Sequence, residues 1–236
     1  MQKSPIIPVK QFKNHENVYQ GRLNDVDVIF TKNIDIGQSV YGERLVKDEK
    51  GQEFREWNPH RSKMCAYLKK GGKEFQFTKD MVILYLGASS GTTVSHLSDI
   101  IIGGRIYCIE FSARSIRELV QRLGNRNNII PILADATQPG QYRSLIPELV
   151  DLVYQDVAQP EQAKLLIDNM RMFLKPGGWF YIAIKARSID VSQDPGIIFK
   201  RQEKVLERAG CQIAETKDIT PFSDDHVMIV GVHENN

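Results

Sequence analysis

An apolar run, Val82-Ile83-Leu84-Tyr85-Leu86, stops at Gly87 and gives way after Gly91 to a polar, helix-capable segment. The stretch VILYLGASSGTTVSHLSD therefore reads as a strand, a glycine turn and a helix start. A helix beginning there points its unpaired backbone N–H groups and positive dipole end into the turn, an arrangement that suits a carboxylate or phosphate. A second apolar run, Ile106 to Ile109, ends at Glu110, 19 residues after Gly91. An acid at the end of the second strand is where a nucleotide-type fold receives ribose hydroxyls. The pair constrains the chain more than the loop does alone.

The loop admits other readings. Gly87, Ser89 and Gly91 also spell G-x-S-x-G, the nucleophile elbow of serine hydrolases, and Asp156 and His226 follow in the hydrolase order. Residues 1 to 80 hold no oxyanion glycine motif, however, and an elbow leaves Glu110 unexplained. A dinucleotide-binding dehydrogenase would want G-x-G-x-x-G, which is incomplete here. A glycine turn without any ligand accounts for the loop taken by itself.

With 236 residues, 42% of them apolar, the chain can bury one full core and a small second domain. No apolar run approaches the roughly 20 residues of a membrane span, and Met1 to Gln20 lacks a signal-peptide core, so a cytoplasmic location is expected. Cys65, Cys108 and Cys211 are odd in number and lack paired metal-ligand spacing, which makes them packed, reduced thiols. A net charge of +2 does not by itself argue for nucleic acid. Arg55, Arg61, Lys63, Lys69, Lys70 and Lys73 crowd one segment, but Glu53, Glu56 and Glu74 are interspersed, as on a solvated helix face.

Residues 1–57 carry short alternating runs such as Val26-Asp27-Val28-Ile29-Phe30 between Gly, Asn and Asp, the pattern of a small antiparallel β domain. Asn58-Pro59 then offers an N-cap and a first-turn proline, and Gly71-Gly72 ends that helix, so the main domain is taken as 58–236. Strands are expected near 81–86, 105–110, 129–133, 150–155, 179–184, 211–218 and 226–232. Helices are expected near 92–101, 113–123, 139–146, 160–174 and 195–209. This is βαβ architecture with a Rossmann-like parallel sheet. Only Ile219 to Asp225 join the last two strands, too few for a parallel crossover, so the seventh strand must run antiparallel.

Seven strands with a final antiparallel hairpin, a glycine loop after the first and an acid after the second resemble the class I S-adenosylmethionine-dependent methyltransferases. Local words sharpen the likeness. YGERL at 41–45, EWNPHRSK at 56–63, LGASSGTTVSHLSDI at 86–100, IEFSARSIREL at 109–119, DVAQPEQ at 156–162, IKARSID at 184–190 and DDHVMIVG at 224–231 resemble fibrillarin, the box C/D ribose methyltransferase, in its archaeal form. The likeness spans about residues 41 to 231, and the arginine-glycine-rich tail of the eukaryotic members is absent.

The expected topology gathers four polar residues. Asp156 follows the fourth strand and Lys185 the fifth; His226 opens the downward-running seventh; Lys63 lies in the early turns of the helix entering the first strand, and that helix starts near the same rim. All four fall on the rim formed by the carboxyl ends of the strands, where ligands of such sheets bind. Singly, Asp156 reads as a turn cap, the lysines as solvated and His226 as a strand-end residue. The resemblance implies instead a catalytic tetrad of Lys63, Asp156, Lys185 and His226 around a target ribose.

The implied reaction moves a sulfonium methyl to a ribose 2′-hydroxyl. The donor is already activated and the hydroxyl is a poor nucleophile, so the enzyme must align and deprotonate. Lys185 is the candidate base, with Asp156 orienting it, Lys63 steadying the alkoxide and His226 positioning ribose or phosphate. No metal is required. For S-adenosylmethionine, Gly87 and Gly91 admit the methionine moiety, and Thr92 and Thr93 hold its carboxylate at the helix start. Glu110 takes the ribose hydroxyls, Phe111 packs on the adenine, and Asp135 accepts from the adenine amino group beside Ala136. By resemblance, Asp156, Val157, Ala158 and Gln159 close the pocket. For Phe111, core packing is the competing reading.

Nothing in the chain matches a sequence-reading RNA module, so base pairing must supply specificity. The resemblance implies a guide RNA paired with target rRNA or tRNA, a Nop-domain scaffold protein, and a kink-turn-binding ribosomal-type protein that anchors the RNA. A non-catalytic assembly subunit that only docks the scaffold is the alternative, and the intact tetrad and donor loop argue against it.

Overall fold

The computed structural model describes residues 4–13 and 15–234; the outer limits of the two expected domains, residues 1 and 236, lie outside the described residues. The alternating runs near the N-terminus form β1 (Lys10–Gln11), β2 (Val18–Leu23), β3 (Val26–Lys32), β4 (Leu45–Lys47) and β5 (Glu53–Trp57). They make one antiparallel sheet in the order β1-β2-β3-β5-β4. Leu23 pairs with Val26, leaving Asn24-Asp25 as a two-residue turn with φ of 48° and 62°. That left-handed pair matches the twist of the hairpin it closes, and Asn and Asp tolerate it.

The helix expected from Asn58 begins later, as α1 (Lys63–Lys69). Asn58 does not cap it. Its Oδ1 accepts from His60 N at 2.9 Å, an Asx turn that holds Pro59 outside the helix. Ser62 is the cap, accepting from Cys65 N, and Lys63 therefore stands at the first helical position.

Beyond α1, strands and helices alternate: β6 (Val82–Leu86), α2 (Thr92–Ile100), β7 (Arg105–Glu110), α3 (Ala113–Leu123), β8 (Ile129–Leu133), α4 (Pro139–Tyr142), β9 (Val150–Gln155), α5 (Gln162–Phe173), β10 (Leu174–Lys185), α6 (Ala186–Ile189), α7 (Pro195–Arg208), β11 (Cys211–Asp218) and β12 (His226–His233). The seven strands lie in the order β11-β12-β10-β9-β6-β7-β8. β12 is antiparallel to both β10 and β11, and β10, β9, β6, β7 and β8 run parallel to one another. The short link after β11 has the consequence expected of it. Besides α1, the short α6 is unexpected and two further elements depart from expectation. The segment expected as a helix at 139–146 tightens after α4 into a 3₁₀ turn, Arg143–Leu145. β10 starts before the Lys175-Pro176-Gly177-Gly178 turn, which is absorbed as an irregularity in its pairing with β9.

β6 is buried on both faces, which is why it reads as an unbroken apolar run. Ile83 and Tyr85 join the core beneath α1 and α2, whereas Val82, Leu84 and Leu86 join the core beneath α4, α5 and α7. Val18, Ile29 and Trp57 of the N-terminal sheet belong to the first of these clusters, so the two sheets share apolar packing. All three cysteines are buried and free, and burial pushes each thiol up.

A buried polar network reinforces that junction. Asp99 of α2 accepts from Thr31 at 2.7 Å, Arg55 at 2.8 Å and Arg126 at 2.6 Å. Arg55 also reaches Glu43 at 2.6 Å and Ser95 at 2.8 Å. Its guanidinium is fully buried, which corrects its reading as part of a solvated face. His96 completes the set, stacked on Trp57. Thr31 spends its hydroxyl proton on Asp99, so Nδ1 of His96 donates to Thr31 at 2.7 Å. Nε2 then accepts from Tyr41 at 2.8 Å. Burial, with the charges of Arg55 and Arg126, holds His96 well below its ordinary value and so neutral.

Candidate active site

The carboxyl ends of β6, β7, β8 and β9 open onto two adjoining cavities. The larger, of about 390 Å³, is lined by Gly87, Glu110, Phe111, Asp135, Ala136, Asp156, Val157, Ala158 and Gln159 among others. The smaller, of about 290 Å³, is lined by Lys63, Gly87, Thr92, Thr93 and Asp156 together with Arg61 and Tyr85. They meet at Gly87, Ser89 and Asp156. The first is of a size typical of small-ligand sites.

Gly87 is required twice over. Its φ is +81°, and a Cβ there would stand 2.4 Å from the Asp156 carbonyl and 2.8 Å from Val157 Cγ1. The ends of β6 and β9 can approach only because that atom is missing. Gly91, with φ of +89°, caps α2 and lines neither cavity; a Cβ on it would meet Leu123 at 2.5 Å. The missing Cβ lets α2 pack against α3.

Glu110 is buried at 6% exposure, and its carboxylate accepts from Ser89 N at 2.8 Å and Ser112 N at 2.9 Å. The acid therefore ties the glycine loop to the start of α3 while still facing the cavity. Phe111 is 73% exposed, which removes the core-packing reading and leaves a ring face at the cavity wall. Asp135 accepts from Thr137 N at 2.9 Å, and hydrogen bonds from Thr137 hold its carboxyl below the usual range.

The second cavity holds an ion pair. Lys63 Nζ lies 2.7 and 2.9 Å from the two oxygens of Asp156, each side chain being 24% exposed. The Asp156 carboxylate, expected to orient Lys185, turns to Lys63, which the cap at Ser62 delivers to the rim. Lys185 ends β10 as the cross-strand partner of His226, which opens β12. Its peptide is clamped on both sides by Gln162, which accepts from Lys185 N at 2.9 Å and donates to Lys185 O at 3.0 Å.

His226 is buried, with Nδ1 2.6 Å from the Asp224 carbonyl. A carbonyl only accepts, so the neutral ring carries its proton on Nδ1 and presents Nε2 as an acceptor. Burial, aided by the charges of Lys63 and Lys185, keeps His226 below its ordinary value, against the opposing pull of the Asp224 bond and of Asp156. All four expected rim residues are thus within electrostatic reach of one another. The hydrolase triad is not assembled, because Asp156 is bound to Lys63 and Nδ1 of His226 to a backbone carbonyl. No cluster of three or more His, Cys, Asp or Glu residues placed to hold a metal occurs among the described residues.

The Fibrillarin family profile matches residues 9–235. A fibrillarin-like rRNA/tRNA 2′-O-methyltransferase of Methanocaldococcus jannaschii is 50% identical over 222 residues, 93% of this chain and 95% of that protein. The chain belongs to the fibrillarin family. The solved structure of Aeropyrum pernix fibrillarin with natively bound S-adenosyl-L-methionine superposes with a TM-score of 0.90 at 46% identity, covering 98% of this chain and 100% of that one. Fibrillarin in a fibrillarin/Nop5p complex gives 0.84 at 40% identity, covering 96% and 100%.

Within this fibrillarin fold, two residues at the site have no role assigned from the sequence. Gln162 closes the word DVAQPEQ, but its full burial at the start of α5 is set by the fold. Tyr85 sits in an apolar strand, yet it lines the second cavity while its ring stacks on Tyr154 at 4.6 Å. Burial and the Asp156 charge push its phenol well up, so it stays a donor. Glu110→Ala is expected to weaken S-adenosylmethionine binding by about 1–3 kcal/mol in calorimetry. An unchanged affinity would remove Glu110 from the donor site.

Proposed function

We propose that the chain transfers a methyl group from S-adenosylmethionine to a ribose 2′-hydroxyl of rRNA or tRNA, as the catalytic subunit of a box C/D guide-RNA particle. The Lys63–Asp156 pair at the meeting point of the two cavities, with Lys185 and His226 beside it, carries this reading. The larger cavity takes adenosine, with Glu110 on the ribose, Phe111 on the adenine face and Asp135 at the amino group. The smaller takes the methionine end against Thr92 and Thr93 at the α2 N-terminus, and the incoming ribose.

The donor supplies an electrophilic methyl carbon on a good leaving group, so the scheme needs no metal. The protein aligns the 2′-oxygen for in-line attack and removes its proton. Lys185 is the base, reaching in from a peptide fixed by Gln162. The Lys63–Asp156 pair sets the ribose and balances charge next to the sulfonium. His226 Nε2 accepts from a ribose hydroxyl. As the new C–O bond forms, the C–S bond breaks, leaving a neutral thioether.

Ser89 has no covalent part, so Ser89→Ala should retain methyl transfer and wild-type protein should not react there with a fluorophosphonate probe. Labelling of Ser89 would revive the hydrolase. The chain carries no sequence-reading module, and its net charge of +2 attracts RNA weakly. Reconstitution therefore tests the reading: with labelled donor, site-specific methylation should require the guide RNA, a Nop-domain scaffold and a kink-turn-binding protein. Site-specific methylation by the isolated chain would overturn the dependence on guide and partners.

A further inference from the structure

Inside the second cavity the charges of Lys63 and Asp156 offset each other, but that of Arg61 is not offset. Its guanidinium makes no ion pair or hydrogen bond among the described residues. It lies instead 5.3 Å from the centre of the Tyr41 ring, a cation–π seat that leaves its N–H groups unspent. That seat is itself fixed. The Tyr41 hydroxyl donates to His96 Nε2 at 2.8 Å and accepts from the Asn58 backbone N–H at 3.4 Å. The Arg61 backbone N–H closes onto the Asn58 carbonyl at 3.1 Å, one residue before the Ser62 cap. An exposed arginine is thus held on a rigid turn, two residues from Lys63 and at the same cavity.

The geometry points to Arg61 as the clamp for the phosphodiester on the 3′ side of the target ribose. This rests on the methyl-transfer reading. In RNA the 2′-oxygen and the 3′-phosphate stand on neighbouring ring carbons, so a ribose seated at Lys63–Asp156 brings that phosphate to the next cation along the wall. Guanidinium matches phosphate with paired N–H donors. The contact positions the strand without reading a base, in keeping with specificity supplied by pairing. The donor's carboxylate is the other anion able to enter this cavity, and the test separates the two.

Arg61→Gln and Arg61→Lys would be measured in the reconstituted particle at saturating donor, with donor affinity of the isolated variants taken by calorimetry. Arg61→Gln should raise KM for target RNA about 10-fold or more and flatten the log–log salt dependence by about one phosphate contact, with donor affinity unchanged. Arg61→Lys should recover part of the loss. A target with a neutral methylphosphonate 3′ to the methylated nucleotide should cost the wild type a similar factor and cost Arg61→Gln little more. Weakened donor binding with unchanged RNA kinetics would assign Arg61 to the donor carboxylate and overturn the proposal. Equal sensitivity of wild type and variant to the neutral linkage would overturn it as well. A wild-type particle that fails to methylate would overturn the methyl-transfer reading, and this inference with it.

Discussion

Lys185→Ala is expected to slow single-turnover methyl transfer in the assembled particle by about 10²-fold or more, the usual range for loss of a general base. Donor affinity should stay at the wild-type level, because Lys185 lines neither cavity and its peptide is held by Gln162 through backbone atoms that the substitution keeps. The pH dependence is a second readout. Wild-type turnover should rise with pH until another step limits, and the variant should lose that rise. A variant that keeps the full rate and the same profile would move the base to Nε2 of His226, an imidazole nitrogen left as an acceptor by the bond of Nδ1 to Asp224, or to Lys63.

Asp156→Ala should be as costly and should act on a different quantity. The carboxylate belongs to both cavities and neutralises Lys63. Without it the ammonium stands unpaired beside the place where a cationic sulfonium must sit, and both groups are only a quarter exposed, so solvent screens the repulsion incompletely. Affinity for S-adenosylmethionine should fall by about 10-fold or more, and affinity for the neutral thioether product should fall less. Turnover should drop by about 10²-fold. Adding Lys63→Ala to Asp156→Ala should restore part of the donor affinity, because it removes the stranded charge. Equal losses for donor and product would show that Asp156 acts by shape rather than by charge.

Much of this arrangement was legible in the residues. The apolar runs ending at Leu86 and Glu110 located β6 and β7, and the seven residues between β11 and β12 dictated the antiparallel partner of β10. That topology alone placed Asp156, Lys185 and His226 on one rim. What remained hidden depends on contacts distant in sequence. Asn58-Pro59 carries the chemistry of a helix start, but an Asx turn uses the same side-chain oxygen, and only the fold decides between them. The choice of Asp156 for Lys63 over Lys185 spans 93 residues and follows from the Ser62 cap. Arg55 looked solvated among neighbouring charges because its partners, Glu43 and Asp99, lie 12 and 44 residues away.

The bonds converging on Asp99 have a mechanical meaning. Thr31 and Arg55 come from the N-terminal sheet, Arg126 from the loop before β8, and all three grip the helix whose first turn lines the smaller cavity. Cutting the chain after β5 would remove two of the three side chains that bond to Asp99 and open the apolar packing shared by the two sheets to water, so the sheet is no detachable appendage. Sheet and helix are coupled in series. A push or pull on the sheet is borne, through Ser95, His96 and Asp99, by the helix that Gly91 caps.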